Sequence, residues 1–249
     1  MAVIKHIAVK NSDYMDAVQY LKYQHNELTN KPICDEEGQR IKRKGILING
    51  VNCTPSTFAR DCKELNEKYG KNHSKEEIKA HHYILSFDPR DREDNGLTVE
   101  HAQELGIEFC KEHFPGYQAI FCTHPDGHNG AGNIHVHIVI NSIRMEDVER
   151  KPYMDRASDT LAGSKHHLTF NNLEYLKQET MLMCQRENLY QVDLLSPAKV
   201  RITDREYWAS RRGQIALDDQ AKDESKASDN TEKTTFETRL ASLRKAIKA

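Results

Sequence analysis

The stretch that decides the fold is Gly132-Asn133-Ile134-His135-Val136-His137-Ile138-Val139-Ile140-Asn141. Its polar and apolar residues predict a β-strand, in which successive side chains point to opposite faces. One face then carries four apolar side chains, which must be buried against helices. The other face carries two imidazoles and two amides, namely His135, His137, Asn133 and Asn141, together with Val139. A core would not select such a face, so the pattern predicts a polar site on this face of the strand.

The segment before this strand supplies a third histidine. Tyr117 to His124 predicts another strand, and residues 125–132, with three glycines, predict a turn-rich loop. The resulting antiparallel hairpin brings His124 alongside His135 and His137. Three neutral imidazoles leave coordination positions for water and phosphate oxygens, as catalytic metal sites require. His128 in the loop is the alternative third ligand, and an exposed histidine face on an edge strand is the alternative without a metal.

Polar neighbours of the three histidines are candidates for orienting them. Asp126, Asn133 and Asn141 could hold ligands in place through hydrogen bonds, although turns and strand ends often carry such residues for other reasons. The predicted cofactor is a divalent metal ion. Mn²⁺ or Mg²⁺ is the first choice and Zn²⁺ the alternative, because three histidines alone do not select among these ions.

The rest of the chain predicts an α+β sandwich with a central, mainly antiparallel sheet flanked by helices. Further strands are predicted at 3–9, 45–51 and 81–87. Helices are predicted from Ser12, as N-cap, to Gln24, from Thr54-Pro55 to Gly70, and at 98–113 and 170–188. Residues 26–45 predict a loop, 218–234 a flexible linker and 235–249 a short helix. The predicted domains are 1–200 and a charged extension, 201–249.

Composition excludes some classes of protein and leaves others open. The net charge of −2 over 249 residues gives no overall sign of a nucleic-acid partner. Two local groups of basic residues suit phosphate contacts, although each is equally compatible with a solvated surface: Arg40, Lys42, Arg43 and Lys44, and Lys199, Arg201, Arg205, Arg211 and Arg212. Six cysteines without a CxxC pair, and a start without an apolar leader, predict reduced thiols in the cytoplasm. No segment approaches the roughly 18 apolar residues of a membrane span.

Three segments together resemble a known family. Thr123-His124-Pro125-Asp126, followed by Asn133 to His137 and Asn141, resembles the histidine motif of relaxases, which are HUH-type endonucleases of conjugative elements. The resemblance is to the MobP branch. His82 to Phe87 resembles the strand that precedes the motif, and Ser12 to Leu21 resembles the N-terminal tyrosine motif. The resemblance covers roughly residues 1–190. The loop before Asn133 is longer than in many relatives, which keeps His128 open as a ligand.

The resemblance implies an HUH-type sandwich with a five-stranded sheet and a specific chemistry. A tyrosine would nick one strand at an origin of transfer, remain on the 5′ phosphate and later rejoin the strand. The motif match falls on Tyr20, with Tyr23 and Tyr14 as alternatives. Single-stranded or hairpin DNA, bound in part by the 40–44 patch and Ser86, would be the substrate. A bacterial cytoplasmic location, an accessory relaxosome protein and a coupling protein are also implied, without a membrane.

Two rival functions fit parts of the pattern. A rolling-circle initiator or HUH transposase carries its tyrosine downstream of the histidines, where this chain has Tyr175. The Tyr-x-x-Lys spacing of that class is absent, because residue 178 is Gln. A non-catalytic DNA-binding module with a structural zinc would need a fourth ligand, often a cysteine. Cys122 is near in sequence, but no cysteine is spaced to join the histidines.

Overall fold

Five strands form one antiparallel sheet in a computed structural model that describes residues 2–26, 29, 31–125, 132–196, 202–225 and 235–248. The strands are β1 (Val3–Val9), β2 (Leu47–Val51), β3 (Ala80–Ser86), β4 (Tyr117–His124) and β5 (His135–Arg144). Their order is β1-β3-β5-β4-β2, and every neighbouring pair is antiparallel. The predicted α+β fold with a five-stranded sheet is confirmed. The histidine strand β5 lies at the centre of the sheet.

The larger helical layer covers one face of the sheet with α4 (Val99–His113) and α5 (Phe170–Arg186). The apolar face of β5 packs into this layer, as the alternation predicted, through Val136, Ile138 and Ile140. Thr98 caps α4 by accepting a hydrogen bond from the backbone of His101. Helix and strand approach closely at Gly106, where a Cβ atom would lie 2.5 Å from Val136 Cγ1.

The smaller layer covers the other face with α1 (Tyr14–Lys22) and α2 (Phe58–Lys68). Val18, Leu21 and Phe58 are buried against the sheet residues Ile120 and Val139. Every residue of β5 is therefore buried, including its polar side chains. The side chains of His135 and His137 lie under α1, at the end of the sheet where β4 stops and β5 starts.

Several helix boundaries differ from the prediction. Asp13, and not Ser12, is the N-cap of α1, since its side chain accepts a hydrogen bond from the backbone of Met15. Regular α2 begins at Phe58, because residues 54–57 form a separate hydrogen-bonded turn. The short helix α3 (Asp91–Asp94) was not predicted. The change at α1 arises where adjacent polar residues, Ser12 and Asp13, compete to cap the same helix.

The predicted loop at 26–45 contains an ordered antiparallel arm, defined here as residues 31–44. The backbone N–H of Gln24 donates to the carbonyl of Ile41, and the N–H of Ile41 donates to Ile33. A turn at the tip carries Gly38 with φ of 78°. The described residues between α1 and β2 form no helix or regular strand, as the loop prediction requires, and isolated backbone pairs hold the arm to the end of α1.

The chain divides into two units, residues 1–25 with 31–196 and residues 26–30 with 197–249. The second unit contains α6 (Asp204–Ser225) and α7 (Arg239–Lys248). Helix α6 occupies the start of the predicted 218–234 linker, and residues 226–234 lie outside the described part. The domain limits 1–200 and 201–249 stay a prediction. Among the described helices, none is long and apolar enough to cross a membrane.

Candidate metal centre and nucleophile

Three histidines meet at the end of the β4–β5 hairpin. His124 is the register partner of His135, and His137 is the partner of Cys122 on β4. Their side chains lie on the α1 face of the sheet and are buried. One ring nitrogen from each lies within 4.8 Å of one from each of the others. The structure thus brings together His124, His135 and His137, the three predicted metal ligands.

The hydrogen bonds of these rings indicate which nitrogen faces the cluster. Because a carbonyl only accepts, His124 donates from Nε2 to Leu21 (3.0 Å), and His135 donates from Nδ1 to Asn133 (3.3 Å). The neutral rings then carry their lone pairs on Nδ1 and Nε2, respectively. His137 uses Nδ1 in a 2.7 Å hydrogen bond with His82. Metal-binding histidines are commonly held in this way, through the nitrogen that does not bind the metal. The donor set fits a divalent ion.

His82 contacts the histidine cluster, although the sequence pattern does not predict this contact. It lies on β3, is 8% exposed and contacts His137 through Nε2. Strand parity already places His82 and Ser86 on one face of β3. The missing information was that β3 lies beside β5, which only the sheet order gives.

Tyr20 is the tyrosine beside the histidines. Its ring lies 6.1 Å from the ring of His137 and 6.2 Å from that of His82, edge to face in both cases. The ring of His25, just beyond the end of α1, lies 5.1 Å from the ring of Tyr20. Helix α1 therefore presents Tyr20 to the end of the sheet where the cluster lies.

The two alternative tyrosines occupy different surroundings. Tyr14 is buried, donates a hydrogen bond to the Lys79 carbonyl (3.0 Å) and accepts one from Asn66 (2.7 Å). Burial raises the pKa of Tyr14 above its ordinary value, which opposes formation of a phenolate. Tyr23 follows the last residue of α1 and lines a hollow on the outer side of that helix, with Arg40 and Lys42.

The downstream tyrosine of the rolling-circle alternative lies on the wrong face of the sheet. Tyr175 belongs to α5 and packs against the larger core cluster. Its hydroxyl is 3.0 Å from Nδ1 of His113, and burial raises its pKa to about 12. The sheet therefore separates Tyr175 from the three histidines.

The predicted orienting residues have different positions. Asn133 contacts the site twice, through its carbonyl to His135 and through a 2.7 Å side-chain hydrogen bond to Ser86. Asn141 lies away from the three histidines. It lies four residues beyond His137, about 14 Å along the strand, and its side chain bonds with Gln118 and Tyr14. Asp126 and His128 lie outside the described residues.

The predicted DNA-binding residues lie at the site edge and on the arm. Ser86 is half-buried at the end of β3, opposite His135. Arg40, Lys42 and Lys44 are exposed on the arm, whereas Arg43 is half-buried. The arm returns to the end of α1, where Lys42 pairs with Tyr23. A basic surface thus lies next to the helix that carries Tyr20.

Comparison with known proteins identifies the family. A model of the MobA/VirD2-like relaxase nuclease domain matches residues 28–162, more than half of the chain. The chain belongs to this family. The matched residues 28–162 include the three histidines, His82 and Ser86, whereas Tyr20 lies before the matched region.

Individual relatives are more distant. Protein rlx of Staphylococcus aureus is 28% identical over 182 residues, which are 73% of this chain and 45% of that protein. The chain therefore spans less than half the length of this curated relative. The solved MobM relaxase domain bound to 26nt pMV158 oriT DNA is 14% identical, with a TM-score of 0.44 over 81% of this chain and 96% of that one. A structure described as the molecular basis of vancomycin resistance transfer in Staphylococcus aureus is 13% identical, with a TM-score of 0.45 over 80% and 99% of the two chains.

Proposed function

We propose that the chain is a conjugative relaxase that nicks one DNA strand at an origin of transfer, with Tyr20 as the nucleophile. The observation that carries the proposal is the position of the Tyr20 ring, 6.1 Å from His137 of the three-histidine cluster. Membership in the relaxase family supports the same reaction. The alternative Tyr14 is buried and hydrogen-bonded to Lys79, and the alternative Tyr175 is half-buried on the opposite face of the sheet, bonded to His113.

The residues of the site have separate tasks in this reaction. His124, His135 and His137 would hold a divalent ion, Mn²⁺ or Mg²⁺ with Zn²⁺ as the alternative. Such an ion supplies positive charge that polarises the scissile phosphate. His82 and Asn133 hold two of the rings in orientation. Helix α1 keeps Tyr20 close to the phosphate, which replaces an encounter by a fixed geometry.

The bond changes balance without an external energy source. The Tyr20 oxygen forms a bond to phosphorus while the bond from phosphorus to the 3′ oxygen breaks. The phenol loses its proton, and the departing 3′ oxygen gains one. The DNA keeps a 3′ hydroxyl, and its 5′ phosphate stays on the tyrosine. The reverse transesterification rejoins the strand.

The same proposal includes the DNA substrate, the partner proteins and the domain limits. The substrate is single-stranded or hairpin DNA, contacted by Ser86 and by the basic residues of the arm, Arg40, Lys42, Arg43 and Lys44. An accessory relaxosome protein and a coupling protein would assemble with the relaxase domain, residues 1–200, in the bacterial cytoplasm. Residues 201–249 form the extension of that domain.

A covalent-capture experiment tests the reaction and maps the nick site at the same time. The chain is incubated with Mn²⁺ and a random-sequence single-stranded DNA library labelled at the 3′ end, and captured strands are sequenced. A 3′ label should move with the protein on a denaturing gel, whereas a 5′ label on the same strands should not. The opposite labelling result, or no adduct from the wild-type chain, would contradict the proposed chemistry.

Two substitutions then test the nucleophile. Tyr20→Phe should abolish the adduct and retain DNA binding, because only the attacking oxygen is removed. The matched change Tyr23→Phe, three residues along the same chain segment, should leave the adduct in place. Adduct formation by Tyr20→Phe at the wild-type rate would show that another residue attacks.

A structural zinc site is the second candidate, and Cys122 is the observation that bears on it. Its thiol is buried and in contact with the Leu21 carbonyl (3.6 Å). Among the described residues, the side chains whose ligand atoms lie close enough together to hold one ion are the three histidines, without Cys122. Three protein ligands suit an open catalytic site, whereas a structural zinc site has four.

A further inference from the structure

Arg43 is held differently from the other basic residues of the arm. Its backbone N–H donates to the carbonyl of Lys22 (2.9 Å), and its side-chain Nε donates to the carbonyl of Tyr23 (3.1 Å). Both carbonyls are at the C-terminal end of α1, where the helix dipole favours a cation. Arg40, Lys42 and Lys44 are exposed. Among these four basic residues, Arg43 is the one whose guanidinium is hydrogen-bonded to the end of α1, the helix that carries Tyr20.

The end of α1 that holds Arg43 also contacts the histidine cluster and the surroundings of Tyr20. The carbonyl of Leu21, the residue before Lys22, accepts a hydrogen bond from Nε2 of His124 (3.0 Å). His25 is hydrogen-bonded through Nδ1 to the same Tyr23 carbonyl as Arg43 (2.9 Å), and its ring lies 5.1 Å from that of Tyr20. Arg43 is therefore bound to carbonyl groups that adjoin both the histidine cluster and Tyr20.

The chemistry of the side chain suits a phosphate at this place. Nε is committed to the Tyr23 carbonyl, and the two Nη groups carry the remaining N–H donors of the planar fork. A guanidinium binds two phosphate oxygens through such a fork, which an ammonium group cannot do. Because the backbone and Nε are already fixed, little side-chain freedom is lost when a phosphate binds.

We propose that Arg43 is a further catalytic residue, which binds the non-bridging oxygens of the phosphate that Tyr20 attacks. This inference rests on the proposed function and assigns one arm residue to the reacting phosphate. The guanidinium stabilises the negative charge that grows on those oxygens as the tyrosine oxygen approaches. Arg40, Lys42 and Lys44 contact other phosphates of the strand and contribute to affinity alone.

Single-turnover kinetics test the catalytic role. Strands captured by the wild-type chain are used at saturating concentration with Arg43→Gln and with the control Lys111→Gln, at an exposed lysine of α4 on the opposite face of the sheet. Arg43→Gln should form the adduct about 100-fold more slowly, the scale for loss of one preorganised donor to a developing charge. Lys111→Gln should keep the wild-type rate. Equal rates in Arg43→Gln and Lys111→Gln would overturn the proposal.

A binding measurement tests the contact independently of the reaction rate. A neutral methylphosphonate at the mapped nick position removes one charged oxygen from the DNA. It should weaken binding of the wild-type chain and of Lys44→Gln, but have little further effect on Arg43→Gln, because the contact is already lost. The same penalty in all three proteins would overturn the assignment of Arg43.

A second variant guards against a folding defect. Arg43→Lys keeps the positive charge and an N–H donor for the end of α1 but lacks the fork. It should fold with a Tm close to wild type and react about 10-fold more slowly. A wild-type rate in Arg43→Lys would contradict forked binding. If the wild-type chain formed no adduct at all, the failure would lie in the proposed function and not in Arg43.

Discussion

At the scale of single residues, the site depends on which ring nitrogen of each histidine makes a hydrogen bond and which one faces the cluster. Strand parity predicted that His135 and His137 share a face, and the hairpin predicted His124 beside them. The alternation of side chains between the two faces of β5 does not indicate how far along the strand a residue lies. Asn141, on the same face, is too far along β5 to reach the three histidines. Nor could the alternation reveal His82, because the pairing of β3 with β5 joins segments more than 50 residues apart.

His82 provides a test of ring orientation at this scale. His82→Phe retains an aromatic ring but removes the partner of His137 Nδ1, so metal affinity should fall about 10- to 100-fold. Isothermal titration with Mn²⁺ or Zn²⁺ measures the change. His81→Gln is the control, because its side chain points to the opposite face of the same strand and should leave the affinity unaltered. Equal affinities in both variants would show that His137 does not need His82.

At the scale of elements, strands were easier to predict than the connection after α1. β1 and β4 have the predicted limits because alternation and adjacent turn residues mark both ends. Residues 26–45 predict a loop because they are polar and basic and include Pro32, Gly38 and Gly45. The order of the arm comes from backbone hydrogen bonds to Gln24 and between its two sides. Backbone pairing of this kind leaves little trace in side-chain patterns.

The contact between α4 and β5 can be tested at Gly106. Alanine normally favours a helix by about 1 kcal/mol over glycine, yet a Cβ here would lie 2.5 Å from Val136 Cγ1. Overpacking of this kind costs about 1–3 kcal/mol, so Gly106→Ala should lower the free energy of unfolding in urea. In a Val136→Ala background, the same change should become stabilising. Stabilisation by Gly106→Ala in the wild-type background would show that the contact can relax.

At the scale of the whole molecule, the sheet separates two groups of histidines. The face under α1 carries His124, His135 and His137, whereas the opposite face carries a second group, His6, His81 and His166. In that second group, His6 bonds to His81 (2.9 Å), and His166 bonds to the hydroxyl of Tyr83 (2.7 Å). Burial lowers the pKa of all three, and that of His81 falls to about 3.

The second group predicts a loss of stability in mild acid. Unfolded histidines have a pKa near 6.5, so the unfolded chain binds more protons than the folded chain below that pH. The stabilisation is complete above about pH 6.5 and is lost as the pH falls towards 3. Urea unfolding should give a lower free energy at pH 5.5 than at pH 7.5, by at most about 1.4 kcal/mol per pH unit for each histidine.

Matched variants attribute this pH dependence to the buried group. His81→Gln should flatten the dependence between pH 7.5 and 5.5, because one buried imidazole is removed. His73→Gln, at an exposed position, should preserve the wild-type slope. Identical slopes in the wild type and His81→Gln would place the acid sensitivity elsewhere in the chain.

The difference in size between the two helical layers has a consequence for local opening. Helix α1, with nine residues, lies in the smaller layer, whereas α4 and α5 have 15 and 17 residues. Detaching α1 exposes less apolar surface than separating α4 from β5, so it needs less free energy. Backbone amides of α1 should therefore exchange with deuterium sooner than those of β5. The segment that carries Tyr20 can then open while the sheet keeps the three histidines in register.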